Sequence, residues 1–174
     1  MQNQSPRTVT RGIKQARRSE RLRKIVSGGQ TGVDRGALDA AIAFGAEHGG
    51  WCPQGRLAED GPIPPMYRLR QTRSKDYAVR TERNVRNSHG TLILHRGTLA
   101  GGTLLTHRLV LRHGKPLLSV DLSEPYAVSE IAAWIAEHRI RILNVAGPRE
   151  SSCDGIADQA QRLVSELLAI CDAR

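Results

Sequence analysis

Apolar positions along the chain follow two alternating rhythms. Short apolar runs predict strands at 24–27, 91–95, 116–122 and 141–146, with a further short extended stretch at 48–53. Between and after them, apolar residues recur at spacings of three and four. Val33, Ala37, Ala40, Ala41 and Phe44 give one face to a helix over 33–46. Leu104, Leu105, Leu109 and Leu111 do the same over 103–112. Ile131, Ala132, Trp134 and Ile135 mark 129–138, and Ile156, Ala160, Leu163, Val164 and Leu167 mark 155–171. The stretch 76–87 is more polar, with Tyr77, Val79 and Val85 as its apolar contacts and Arg80, Arg83 and Arg86 sharing a face. Unbroken aliphatic strands that alternate with helices belong to a parallel sheet covered on both sides. The pattern predicts an α/β fold: a single doubly wound, Rossmann-like domain with a mainly parallel sheet and helices on both faces.

The candidate chemistry sits where the rhythm breaks. The first strand runs into Gly28, Gly29, Gln30, Thr31 and Gly32, and a helix starts at once with Asp34 in its first turn. Glycines there let a ligand approach bare backbone, and a helix N-terminus favours an anion. No Lys-Ser/Thr pair follows, so this is not a Walker loop, nor is it G-x-G-x-x-G. Two more strand-to-helix loops carry Gly101, Gly102 and Thr103, and Gly147, Arg149, Ser151 and Ser152. In open α/β sheets all three belong to the carboxyl rim, where ligands bind. Together they predict a phosphate-bearing ligand. Residues 53–78 hold Pro53, Gly55, Gly61, Pro62, Pro64 and Pro65, which forbid long regular elements. The segment also carries Glu59, Asp60, Tyr67, Arg68 and Arg70 and reads as a lid or binding wall. Arg56, with Arg83 and Asn84 of the next helix, is assigned to that wall.

Composition narrows the partners. The chain has 174 residues and a net charge of +9, of which residues 1–24 carry +7. Residues 1–23 are therefore expected to be a basic, disordered tail ahead of a domain at 24–174, and the nearly neutral body argues against nucleic acid beyond non-specific contact through the tail. Cys52, Cys153 and Cys171 show no C-x-x-C spacing and the six histidines no H-x-x-x-H pair. That favours a reducing, cytoplasmic setting and no protein-built metal site. No apolar run is long enough to span a bilayer, so no membrane partner is expected. Leu104, Leu109 and Trp134 are candidates for the surface of a homo-oligomer.

The string from Gly28 to Asp34, the segment Gly50-Trp51-Cys52-Pro53-Gln54-Gly55-Arg56 with Ala58-Glu59-Asp60-Gly61, and Thr81-Glu82-Arg83-Asn84-Val85 resemble the "putative molybdenum carrier" family. So do Gly101-Gly102-Thr103 and Gly147-Pro148-Arg149-Glu150-Ser151, and the resemblance covers about 24–171. It implies membership of the SLOG, or lysine-decarboxylase-like, Rossmann folds, alongside the LOG enzymes and DprA. It further implies a molybdopterin-type cofactor or a nucleotide-derived ligand. LOG-type phosphoribohydrolases carry a glutamate three residues after the threonine of their glycine motif, where this chain has Thr106. A carrier is thus expected ahead of a nucleoside monophosphate phosphoribohydrolase. Glu59, Asp60 and Glu82 are the catalytic candidates if a glycosidic bond is cleaved.

Overall fold

The computed structural model describes residues 21–173; residues 1–20, most of the expected basic tail, lie outside the described residues. In chain order the elements are β1 (Lys24–Val26), α1 (Val33–Phe44), β2 (Glu47–Gly49), β3 (Trp51–Cys52), β4 (Leu57–Ala58), β5 (Gly61–Pro62) and β6 (Arg70–Gln71). They continue with α2 (Tyr77–Arg86), β7 (Gly90–His95), α3 (Gly101–Arg112), β8 (Leu117–Asp121), α4 (Val128–Glu137) and β9 (Ile142–Ala146). A 3-10 turn (Glu150–Ser152) and α5 (Ile156–Ala173) close the chain.

Five strands form one parallel sheet in the order β2-β1-β9-β7-β8. Numbered from β9 as first, the order reads 3-2-1-4-5, that of the doubly wound dinucleotide folds. The last strand of this chain thus holds the place the first strand holds there. Connections running toward β2 carry α1 and α4 to one face, where both pack on α5, and connections running toward β8 carry α2 and α3 to the other. That division is what right-handed crossovers require. Adjacent strands β9 and β7 therefore lead into helices on opposite faces, and the crevice between their carboxyl ends is the topological switch point.

The main core is aliphatic. Ile25, Leu92, Leu94, Leu143 and Val145 of the sheet meet Val33, Ala37 and Ala41 of α1 and Ile156, Leu163 and Leu167 of α5. Small residues let α1 come close: a Cβ at Gly36 would stand 2.2 Å from the Ala157 carbonyl oxygen. Two ends of predicted apolar faces lie outside the core, Phe44 at 43% exposure and Leu111 at 60%. Ahead of β1, Leu22 packs on the core and the Arg21 guanidinium donates to the Asp172 carbonyl, so ordered contacts begin before the expected boundary.

The proline-rich segment is built rather than loose. Ile63, Tyr67 and Leu69 form a second small core with Leu38 and Cys52. Arg56, at φ 54°, donates to the carbonyls of Ile63, Pro64, Tyr67 and Leu69 and so staples the segment from within. The Tyr67 hydroxyl donates to Asp39 of α1 at 2.8 Å. Burial and that carboxylate push the phenol up to about 12.

Candidate functional site

All three glycine-bearing loops leave carboxyl ends of strands β1, β7 and β9 on one rim, as expected. Their contents differ. In the first loop a Cβ on Gly28 would fall 1.6 Å from Arg80 Nη1, and one on Gly29 2.4 Å from Leu69 Cδ1. Gly32 has φ +75°, and a Cβ there would stand 2.4 Å from the Pro148 carbonyl oxygen. These glycines admit the protein's own groups. Gly147 likewise packs against Leu94, whose carbonyl oxygen would stand 2.2 Å from an added Cβ. Gly101 and Gly102 differ, because a Cβ on either meets nothing within 4 Å. The α3 N-terminus, with Thr103 buried behind it, is the open part of the rim.

Three cations at the rim face a carboxylate, while Arg96, after β7, donates to the Gln159 side-chain oxygen and the Asp154 carbonyl. Arg80 reaches across from α2 to Asp34 at 3.1 Å, with the two side chains 14% and 4% exposed. Arg35 grips Asp60 with both terminal nitrogens, one at 2.8 Å. That hydrogen-bonded pairing lowers the Asp60 carboxyl and raises the Arg35 guanidinium. Arg149 lies 3.6 Å from Glu59.

Glu59 occupies the centre of the cluster. Its carboxylate accepts the hydroxyls of Thr31 and Ser151 and, at 3.2 Å, the Ser151 N–H. The Thr31 hydroxyl oxygen in turn accepts the Glu150 N–H at 3.2 Å. The Gln30 side-chain oxygen accepts the Thr31 and Glu59 N–H groups at 3.0 and 2.9 Å, fixing loop to segment. The Glu59 side chain is 19% exposed. Burial opposes its charge, but the Ser151 and Thr31 hydrogen bonds and the Arg149 guanidinium hold the carboxyl below its ordinary range. Glu59 is thus ionised at neutral pH in a set of donors suited to an oxyanion.

A second carboxylate takes the α5 N-terminus. Glu150 accepts the Gly155 and Ala157 N–H groups, the latter at 3.0 Å, and so caps that helix. Ser152 is exposed. The remaining candidates lie elsewhere. Glu82 accepts from or pairs with His113 at 2.9 Å between α2 and α3. Asn84 clamps the Trp51 backbone, accepting its N–H at 2.7 Å and donating to its carbonyl at 3.0 Å. Arg83 stacks on the Trp51 ring at 4.5 Å. Arg83 and Asn84 thus serve the other face of the sheet, and Arg56 spends its donors within the segment.

No group of three or more His, Cys, Asp or Glu is placed to hold a metal among the described residues. No described helix is long and apolar enough to cross a membrane.

Known proteins give the arrangement a family. Residues 25–168 match the model of the circularly permutated YpsA SLOG family, in keeping with a sheet whose last strand holds the first position. A crystal structure of a "putative molybdenum carrier protein" from Syntrophus aciditrophicus SB superposes with a TM-score of 0.79. That protein is 43% identical, over 84% of this chain and 94% of its own. No curated protein matches. The chain belongs to the circularly permutated YpsA family of SLOG proteins.

Proposed function

We propose that the protein binds and carries a phosphorylated small molecule, a molybdopterin-type cofactor or a nucleotide-derived compound, on the loops at the carboxyl ends of β1, β9 and β7. The carrying observation is Glu59: a carboxylate from the proline-rich segment sits on two hydroxyls, a backbone N–H and a guanidinium. Such a set is the usual recognition chemistry of a phosphate oxyanion. In this reading Glu59 holds the seat until a ligand's phosphate exchanges with it, and the segment acts as the lid. Gly101 and Gly102, with open space above them, admit the rest of the ligand beside the α3 N-terminus. The name borne by the related Syntrophus protein supports the carrier role. A homo-oligomer belongs to the same reading, through half-buried Leu104 and Trp134; Leu109 is 4% exposed in the small core with Val85 and Val110 and is spent there.

One observation favours the hydrolase reading. Glu59 is a carboxylate on the rim, where Thr106 leaves the motif without one; the Thr106 hydroxyl only donates to the Gly102 carbonyl. Held ionised, Glu59 suits a base or a stabiliser of positive charge and not a general acid.

Calorimetry with AMP and ribose 5-phosphate tests the exchange. Glu59→Ala is expected to bind at least about tenfold more tightly, because the seat is vacated. Arg149→Ala is expected to bind more weakly by about 1.5–3 kcal/mol, the scale of a charge-assisted hydrogen bond. Equal affinities in wild type and both variants would remove the phosphate from this seat. Release of adenine from AMP by the wild type, lost in Glu59→Gln, would favour the hydrolase.

A further inference from the structure

Opposite the main core, the sheet carries a second concavity of about 200 Å³. Its floor is Lys24 and Val26 of β1 and Ile142 of β9, the positions that alternate with core residues Ile25 and Leu143. Its walls include Trp51, Arg68, Arg70 and Asn87. No carboxylate lines it among the described residues. Lys24, Arg68 and Arg70 make no ion pair among the described residues, nor does Arg83, stacked on Trp51 beside them. Glu47, in register with Lys24 on β2, is engaged by Arg23 at 3.7 Å.

Convergence of unpaired cations costs free energy unless something of opposite charge offsets it. The chain meets that cost with a carboxylate at Arg35, Arg80 and Arg149 and, among the described residues, does not do so here. The aromatic wall is also held in place. Asn84, 2% exposed, fixes the Trp51 backbone from both sides, while Arg83 and Arg70 lie 4.5 and 5.9 Å from the ring centroid. Beside it, Gly49 lets Lys24 and the Arg68 backbone approach: a Cβ there would stand 3.3 Å from both Lys24 Nζ and the Arg68 carbonyl oxygen.

We propose that this cleft is a second binding site, independent of the rim, for a small ligand bearing a dianionic oxyanion such as a phosphate group. At about 200 Å³ the cleft is smaller than the roughly 300–1,000 Å³ of sites for drug-sized ligands, so an inorganic oxyanion or a small phosphomonoester fits and a dinucleotide does not. Lys24, Arg68 and Arg70 supply the charge, Asn87 an amide at the mouth, and Trp51 a flat wall for an organic body.

The test uses the full chain carrying Trp134→Phe, which leaves Trp51 as the single indole. Inorganic phosphate and ribose 5-phosphate are titrated against Trp51 fluorescence, with sodium chloride at matched ionic strength as the control. A saturable change with phosphate but not chloride is expected. Arg70→Gln and Lys24→Gln should each raise the midpoint about tenfold, the scale of one lost charge-assisted contact. Arg149→Ala, at the rim, should leave it unmoved. A tighter midpoint for ribose 5-phosphate would identify a phosphomonoester, and equal midpoints a free oxyanion; either supports the site. The proposal is overturned if Trp51 does not respond, if Arg70→Gln leaves the midpoint unchanged while remaining folded by circular dichroism, or if only single-stranded oligonucleotides evoke the response. Because the Arg149 and Arg70 variants are read separately, loss of binding at one site says nothing against the other.

Discussion

The rim and the basic cleft hold similar side chains in opposite electrical states. At the rim Arg35, Arg80 and Arg149 each face a carboxylate, Asp60, Asp34 and Glu59, and the α5 N-terminus is taken by Glu150. In the cleft Lys24, Arg68 and Arg70 face none among the described residues. A glycine-rich turn before a helix is thus a place where an anion is favoured, and the chain itself can provide that anion. What separates a structural turn from a ligand cradle is where the nearest carboxylates of other segments come to rest. Here Glu59 and Asp60 are brought to the rim by a segment far from those turns in sequence, and among the described residues nothing comparable reaches the cleft.

The strongest way to break this comparison is to remove a rim carboxylate that is fully committed. Asp34→Ala should cost about 3 kcal/mol, because it strands Arg80, whose Nε is already buried without a partner, against Gly28. Chemical denaturation would show it as a lower midpoint with an unchanged slope. A loss below about 1 kcal/mol would mean that water or a ligand already neutralises Arg80. Gly32→Ala comes next, at about 2–3 kcal/mol, since it combines a positive φ with a carbonyl oxygen 2.4 Å from the new Cβ. A domain of this size should melt roughly 4–12 °C lower. Normal melting with lost ligand binding would instead make Gly32 part of a cradle.

The fold is legible in the sequence because its signals are local. Aliphatic runs and three-four spacing locate the helices and the long strands, and sheet class follows from their alternation. Strand β2 is only half visible, since Glu47-His48-Gly49 holds no aliphatic run and is placed by pairing with β1. The position of β9 between β1 and β7 is also non-local and has no mark in the sequence beyond family resemblance. The candidate site divides in the same way. That three loops share a rim can be read from strand order along the chain. That Gly28, Gly29 and Gly32 are filled by Arg80, Leu69 and the Pro148 carbonyl cannot, because those partners are distant in sequence. The cleft escapes sequence reasoning for a related reason. Lys24 reads with the first strand and Arg68 and Arg70 with the loop, and only the fold sets them around Trp51.

The smallest effect is the most specific to the proline-rich segment. Glu59 and Asp60 are both held below the ordinary carboxylate range, by hydrogen bonds that outweigh burial at Glu59 and by Arg35 at Asp60. A group whose folded value is depressed contributes stability that is complete above its unfolded value, near pH 4 for these side chains, and is lost as pH falls through the lower folded value. The segment should therefore remain docked at neutral pH and loosen below about pH 4, while the main core, sealed by aliphatic residues, stays folded into a lower range. The loss should be about 1 kcal/mol or less, since the pairs are partly open to solvent. Hydrogen exchange followed by mass spectrometry at pH 3 and pH 6, corrected for intrinsic rates, would show it as reduced protection of peptides spanning 56–70 with little change in β7 and β9. In Glu59→Gln the acid-dependent part should shrink, because the remaining amide cannot titrate and the Asp60–Arg35 pair alone responds. Uniform loss of protection across the sheet would show that the segment and core open together, and the lid would then have no independent motion to offer a ligand.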